Sequence, residues 1–132
     1  MGLLKGLPPL LTADVLHVLR SMGHGDVLCI ADANFPAAQV ATKTTTGKCI
    51  VTTSTLPEML DAICSVLPLD FFVDSPARCM APAHGHELPD QGAQALADMQ
   101  AALSKHCAGV QLVPVERFAF YEEARRSFAV VR

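Results

Sequence analysis

The chain has 132 residues, of which 51% are apolar and 17% charged, a composition that excludes a disordered protein and leaves room for one domain. Its formal net charge of −3 provides no basic surface for nucleic acid or for an anionic membrane. The mean hydropathy of +0.33 is high for a small monomer and favours burial of some apolar surface against another subunit.

The cysteines are odd in number and scattered along the chain, a pattern typical of free thiols in a reducing compartment. Residues 1–6 lack the basic and apolar regions of a secretory leader. No apolar run approaches the ~20 residues that a membrane span requires. These features predict a cytoplasmic protein. The five cysteines are Cys29, Cys49, Cys64, Cys79 and Cys107.

The first predicted helix begins after Thr12, whose hydroxyl can cap it, and ends near Gly23. Residues 27–31 are a short apolar run, which predicts a strand buried on both faces of a helix-covered sheet. The threonine-rich residues 42–46 are predicted to form an exposed loop. A second strand is predicted over residues 49–52.

The second predicted helix opens at Thr55 with the spacing of a capping box that includes Glu58, and it ends at Pro68. Residues 71–73 are a candidate third strand. The segment from 75 to 89 contains three prolines and a glycine and is predicted to be a loop.

An alanine-rich third helix is predicted over residues 90–106, followed by a strand over residues 110–115. Pro114 indicates that this position lies at a sheet edge or near the strand end. Residues 118–127 are predicted to form a fourth helix and residues 128–131 a last strand. Because helices alternate with strands, the sequence predicts an α/β fold with a mainly parallel or mixed sheet covered by helices.

A histidine flanked by two glycines lies between the first helix and the first strand, at His24. A phosphate-binding glycine loop would follow a strand and open a helix, so the reversed order here excludes a dinucleotide site. The glycines allow a tight turn around an imidazole, the side chain best suited to proton transfer near neutral pH. The alternative is a loop histidine that bonds a nearby carbonyl.

Two aspartates have similar surroundings in the sequence. Asp32 directly follows a predicted strand, where ligands usually bind in an α/β sheet. Asp70 lies between Leu69 and Phe71. Each could bind a ligand or could cap a turn or a helix, and the local sequence leaves both alternatives open.

Arg117 and Tyr121 are four residues apart at the start of the fourth predicted helix, so they share one helical face if the helix begins at Arg117. A guanidinium can donate to sugar hydroxyls or to a carboxylate, and a phenol can donate or accept a proton. The alternative is a surface arginine beside a half-buried tyrosine.

A possible metal site involves His84 and His86, with Cys79 upstream. A structural zinc site usually needs four ligands, and the sequence supplies no others at a recognisable spacing. We therefore expect no metal.

Five ordered segments together resemble the L-fucose mutarotase / D-ribose pyranase family, and the last of them resembles its fucose branch. The resemblance covers nearly the whole chain and implies one sugar mutarotase-like domain over residues 1–132. The segments are Leu4-Lys5-Gly6, Met22-Gly23-His24-Gly25-Asp26, Ala31-Asp32-Ala33-Asn34-Phe35-Pro36, Leu67-Pro68-Leu69-Asp70 and Glu116-Arg117-Phe118-Ala119-Phe120-Tyr121-Glu122.

This resemblance implies an isomerase that needs no cofactor and that interconverts the anomers of a free sugar. It places the family's acid/base histidine at His24 and a catalytic tyrosine at Tyr121. It implies sugar contacts by Asp32, Arg117 and Asp70. Family members are α/β subunits that assemble into rings, commonly decamers, so a homo-oligomer is the expected partner besides the monosaccharide.

The sequence departs from the family pattern in two places. Family members often carry an Arg-x-Asp-Gly stretch after the position of Val40, where this chain has its threonine run. They also continue into a Tyr-Gly-Asn tail that contacts sugar, whereas the printed sequence ends at Arg132. Either a tail is missing from this sequence, or sugar binding is weakened or altered.

Three functions follow from the resemblance: an L-fucose mutarotase, a D-ribose pyranase-type isomerase, or a monosaccharide-binding member without turnover. The spacing of two site residues adds an expectation about assembly. Asp32 lies eight positions after His24, so an extended chain would hold them up to ~26 Å apart. We therefore expect the site to combine residues from neighbouring subunits.

Overall fold

The computed structural model describes residues 3–83, 85 and 88–132. Five helices and five strands alternate strictly along these residues. They are α1 (Ala13–Ser21), β1 (Leu28–Ile30), α2 (Ala37–Ala41), β2 (Cys49–Ile50), α3 (Leu56–Cys64), β3 (Arg78–Met80), α4 (Asp90–His106), β4 (Val113–Val115), α5 (Arg117–Arg125) and β5 (Ala129–Val131).

The strands form two parallel sheets. The larger has the order β1-β5-β2, and the smaller consists of β3 and β4. Val130 of β5 lies opposite Cys29 on one side and Cys49 on the other. All pairings are parallel and every crossover carries a helix, which confirms the predicted α/β class.

The last strand is the centre of the core, because helices cover both of its faces. Ala129 and Val131 pack into a cluster built mainly from α1 and α3, whereas Val130 packs with α2 and α5 on the opposite face. All three side chains are buried. A strand covered on both sides has no polar face, which explains the continuous apolar sequence.

The two predicted N-terminal helix caps are confirmed. The hydroxyl of Thr12 accepts a hydrogen bond from the Val15 N–H. At α3 the Thr55 hydroxyl accepts from the Glu58 N–H, and the Glu58 carboxylate accepts from the Thr55 N–H, which completes the capping box. The first helix ends at Ser21, two residues before Gly23, because Met22 is already extended.

Three sequence-based assignments of secondary structure are wrong. Residues 71–73 form a turn in place of a strand, and the segment 75–89 contains β3, which pairs with β4. The short helix α2 was not predicted. The strand β3 depends on a distant partner, β4, whereas the turn is closed locally by the Asp70 carboxylate, which accepts the Phe72 N–H.

The threonine run is also less exposed than predicted. Thr44 is buried, and the Thr46 hydroxyl donates to the Phe128 carbonyl at 2.8 Å. The Thr45 and Thr46 N–H groups donate to the carbonyls of Ser127 and Phe128. These bonds fix the segment before β2 against the start of β5.

Candidate functional site

His24 lies on a tight turn between α1 and β1. The Gly23 N–H donates to the Asp26 carboxylate at 2.8 Å, and the Asp26 N–H donates back to the Gly23 carbonyl at 3.1 Å. Gly25 has a φ of 83°, a left-handed conformation that other residues rarely adopt. The turn therefore has a defined backbone, while 82% of the His24 side chain is exposed.

Asp70 accepts hydrogen bonds from this turn. One oxygen, Oδ2, accepts from the Gly25 N–H at 3.2 Å and lies 3.4 Å from Nδ1 of His24. The other, Oδ1, accepts from the Phe72 N–H at 3.0 Å. The bonds from Phe72, Gly25 and His24 lower the pKa of the Asp70 carboxyl below its ordinary value, so it is anionic at neutral pH.

The turn after Asp70 brings an aromatic ring to the histidine. The Phe72 ring meets the His24 ring edge to face, with centroids 5.4 Å apart and planes at 74°. Phe71 and Phe72 are 81% and 88% exposed, the highest values among the large apolar side chains of the described residues. His24 thus lies between a carboxylate and an exposed aromatic surface.

Asp32 caps the turn that follows β1. Its Oδ1 accepts from the N–H groups of Asn34 and Phe35 at 3.0 and 3.1 Å. In the same turn, the Arg132 guanidinium donates to the Ala33 carbonyl at 3.4 Å. Asp32 therefore caps a turn, which was one of its two predicted roles. Its side chain is also exposed, so the carboxylate faces solvent.

Tyr121 packs between an aromatic ring and two guanidinium groups. The Phe35 ring stacks on it with centroids 5.4 Å apart and planes at 10°. The guanidinium carbons of Arg117 and Arg125 lie 5.8 and 5.9 Å from the Tyr121 centroid, which is cation–π distance. The helix begins at Arg117, so the expected shared face of Arg117 and Tyr121 is confirmed.

The N-terminus of α5 is fixed by Glu116. Its carboxylate accepts from the N–H groups of Phe118 and Ala119, each at 3.0 Å. These bonds lower the pKa of the Glu116 carboxyl below its ordinary value. The cap therefore sets where the helix starts and so where Arg117 and Tyr121 point.

One groove of about 1760 Å³ connects these residues. His24, Asp32, Asp70 and Tyr121 all line it, whereas Arg117 does not. The groove exceeds the ~300–1,000 Å³ of a typical small-molecule pocket, so a single monosaccharide would fill only part of it.

The candidate residues form two groups at opposite ends of β1. His24 and Asp70 lie together before the strand. Asp32, Tyr121 and Arg117 lie after it, around Phe35. Among the described residues, no hydrogen bond or ring contact joins a member of one group to a member of the other.

Three contributors to these groups were not predicted from the sequence. Phe35 and Phe72 contact Tyr121 and His24 by their rings, and Arg125 reaches Tyr121 from one helical turn beyond it. The i, i+4 spacing of Tyr121 and Arg125 could have indicated the last contact. The contacts of Phe35 and Phe72 join distant parts of the chain and leave no local pattern.

The possible metal site falls on His84 and His86, which lie outside the described residues. Within residues 3–83, 85 and 88–132, no group of three or more His, Cys, Asp or Glu side chains could hold a metal ion. In the same part of the chain, no helix is long and apolar enough to cross a membrane.

Comparison with known proteins decides the family. Residues 5–132 match the profile described as the RbsD / FucU transport protein family. This chain belongs to that family. A relative from Danio rerio named fucose mutarotase is 40% identical over 136 residues, which span 99% of this chain and 84% of the relative.

Solved structures within the RbsD / FucU family have the same fold. FucU from Bifidobacterium longum superposes with a TM-score of 0.84 at 33% identity, over 96% of this chain and 87% of that one. The fucose mutarotase of Streptococcus pneumoniae, solved with L-fucose, gives a TM-score of 0.81 at 31% identity, over 97% and 86% of the two chains.

Proposed function

We propose that the protein is a sugar mutarotase, an isomerase that interconverts the α and β anomers of L-fucose or of a related free monosaccharide. Its relatives named fucose mutarotase, and the neighbour solved with L-fucose, support this activity. The observation that carries the proposal is the exposed His24 imidazole, fixed on a rigid turn at a groove that Asp32, Asp70 and Tyr121 also line.

Ring opening of a hemiacetal requires two proton transfers and no cofactor. A base takes the proton of the anomeric hydroxyl, an acid protonates the ring oxygen, and the aldehyde then closes again on either face. A histidine and a phenol can perform these transfers, and each well-placed acid or base typically contributes ~10²–10⁴-fold in rate. We assign them to His24 and Tyr121.

The remaining predicted residues would hold the sugar. Asp32 borders the groove with an exposed carboxylate, which can accept hydrogen bonds from hydroxyl groups. The exposed Arg117 guanidinium lies over the Tyr121 ring and can donate to a hydroxyl or to the ring oxygen. Asp70 was predicted to contact sugar as well, and its contacts with the His24 turn also support a role in orienting the imidazole.

The separation of the two groups supports a site shared between subunits. His24 lies before β1, whereas Tyr121 stacks on Phe35 after it, and in the described residues no hydrogen bond or ring contact joins the two. Acid and base must both reach one anomeric centre, so a neighbouring subunit is proposed to supply one of them. The exposed Phe71 and Phe72 beside His24 provide apolar surface that a second copy could cover. A head-to-tail contact of this kind closes into a ring, and we propose a homo-oligomeric ring with a decamer as the expected form.

A cytoplasmic location fits the same proposal. All five cysteines are free, and the buried Cys29 and Cys64 have pKa values raised to about 12, chiefly by desolvation. Free thiols persist in reducing compartments. Cell fractionation with antibodies to the protein would test this location.

Exchange NMR tests the activity directly. Saturation transfer between the α- and β-anomer signals of L-fucose, D-ribose and D-galactose is measured with and without protein. Faster exchange for fucose supports the mutarotase, and faster interconversion of ribose ring forms alone supports the pyranase. Binding without faster exchange of any of the three sugars would contradict an enzyme and favour a monosaccharide-binding protein.

A further inference from the structure

We propose that Asp70 is a positioning residue that holds the proton of neutral His24 on Nδ1 and directs Nε2 into the groove as the proton acceptor. The inference deepens the proposed function, and its activity measurement rests on that function. Its spectroscopic test does not.

The carboxylate of Asp70 is itself fixed before it meets the histidine. Oδ1 accepts from the Phe72 N–H at 3.0 Å, and Oδ2 accepts from the Gly25 N–H at 3.2 Å. These two backbone donors come from different segments of the chain and point to different oxygens, so they define the plane of the carboxylate. Oδ2 is thereby placed 3.4 Å from Nδ1 of His24.

The charge of Asp70 determines which imidazole nitrogen carries the proton. The bonds from Phe72, Gly25 and His24 lower the pKa of the Asp70 carboxyl, so at neutral pH the group accepts hydrogen bonds and cannot donate one. Neutral imidazole has one N–H and one bare nitrogen, and an anionic neighbour at Nδ1 favours the proton there. Nε2 is then the bare nitrogen, which a general base requires.

The Phe72 ring restricts the remaining freedom of the imidazole. It lies edge to face against His24, with centroids 5.4 Å apart. Asp70 also accepts from the Phe72 N–H. The same carboxylate therefore fixes the turn that carries the Phe72 ring and lies beside Nδ1 of His24. At 3.4 Å the contact to Nδ1 is long, as catalytic hydrogen bonds often are before substrate binds, and we expect it to shorten with sugar bound.

A direct sugar contact by Asp70 leads to a different result on mutation. If Asp70 bound a hydroxyl, its loss would weaken affinity and leave the imidazole tautomer unchanged. If Asp70 acts through His24, its loss changes the tautomer and the exchange rate while affinity is largely retained. Tautomer and affinity measurements on the same protein therefore separate the two roles.

The test uses Asp70→Asn, which keeps the shape of the side chain and removes its charge. The imidazole tautomer is read from the ¹⁵N shifts of His24 in long-range ¹H–¹⁵N spectra. The His24 signals are identified as those that are missing from the spectrum of His24→Gln. Asp26→Asn is the matched control: it removes a carboxylate from the same turn, but one that bonds the Gly23 N–H and makes no contact with the His24 ring.

We expect wild type to show the Nδ1–H tautomer, Asp26→Asn to keep it, and Asp70→Asn to shift towards Nε2–H. For Asp70→Asn the anomer exchange rate should fall about tenfold or more, by analogy with the loss of the partners that orient metal-binding histidines. The L-fucose affinity should stay within about twofold. A wild-type Nε2–H tautomer would overturn the inference even if Asp70→Asn failed to fold. Loss of affinity with an unchanged tautomer would overturn it too.

A failure of the proposed function would give a different result from a failure of this inference. If wild type does not accelerate anomer exchange, the mutarotase proposal fails. The tautomers of wild type and Asp70→Asn still decide whether Asp70 orients His24.

Discussion

His24 and Asp70 illustrate how the candidate site is built at the scale of single residues. They are 46 positions apart in the sequence, yet their side chains lie 3.4 Å apart. Asp26 shapes the histidine turn from within, and Asp70 holds it from outside through the Gly25 N–H. The imidazole is therefore held on a fixed backbone although most of its surface faces solvent.

Replacement of His24 by alanine should abolish catalysed anomer exchange and leave the fold intact. The exposed side chain contributes little to the core, whereas loss of one acid/base group typically costs ~10²–10⁴-fold in rate. Saturation-transfer NMR measures the rate, and circular dichroism checks the fold. His17→Ala is the control, because it removes an exposed imidazole from α1 that does not line the groove. A folded His24→Ala protein with wild-type rates would exclude His24 from the chemistry.

Replacement of Arg117 by alanine should weaken sugar binding more than it perturbs stability. Its guanidinium is exposed and contacts the Tyr121 ring, so its loss removes few contacts that stabilise the fold. The sugar, in contrast, loses its hydrogen bonds to a charged donor, which are worth about 1.5–3 kcal/mol each. NMR titration with L-fucose measures the dissociation constant. Arg126→Ala removes an equal charge from the residue that directly follows the same helix and should keep the affinity. Unchanged affinity in Arg117→Ala would contradict its assignment as a sugar contact.

At the scale of secondary-structure elements, helix starts position the site. Glu116 caps α5 and so sets where Arg117 and Tyr121 point, and Thr55 with Glu58 caps α3. The core face of α3 carries the buried Met59 and Ile63, which pack beneath the larger sheet. Local hydrogen bonds at the caps and apolar burial along the helices thus define these elements together.

Replacement of Thr55 by alanine should lower the free energy of unfolding by about 0.5–2 kcal/mol, because it removes the acceptor of the Glu58 N–H. The urea midpoint should fall while the slope of the transition is unchanged. Thr55→Ser retains the hydroxyl and should stay close to wild type. If Thr55→Ala and Thr55→Ser unfold at the same urea concentration, the capping box makes no contribution to stability.

At the scale of the whole molecule, the large groove and the two separated groups point to assembly. One end of β1 carries His24 with the exposed Phe71 and Phe72, and the other carries Asp32 and Tyr121. In a ring of identical subunits, the His24 end of β1 in one protomer could lie against the Tyr121 end of β1 in its neighbour. Activity would then depend on the interface as well as on the fold.

Mixing two inactive variants tests a shared site. His24→Ala and Tyr121→Phe subunits are dissociated, combined in equal amounts and reassembled. If each site takes His24 from one subunit and Tyr121 from the next, random reassembly gives about one quarter intact sites and a corresponding exchange rate. Each variant reassembled alone should stay inactive. A fully active monomer, identified by light scattering, would exclude the shared site.

The sequence by itself determined the features that depend on neighbouring residues. The bounds of α4, the caps at Thr12 and Thr55 and the α/β alternation follow from local periodicity and hydrogen bonding. The glycines around His24 and the spacing of Arg117 and Tyr121 indicated where chemistry could occur. Of those residues, His24 and Tyr121 line the groove, and Arg117 contacts the Tyr121 ring.

Only the tertiary structure decided the features that depend on distant partners. Residues 71–73 are apolar enough to form a strand, but they form a turn in which Asp70 accepts the Phe72 N–H. The same carboxylate is held by the distant Gly25 N–H and lies beside the His24 ring. Residues 78–80 look like a proline-rich loop until β4 pairs with them. The contact of His24 with Asp70 and the stacking of Phe35 on Tyr121 arise in the same way. A sequence pattern records local preference, whereas such contacts form only when the fold brings separated segments within hydrogen-bonding or van der Waals distance.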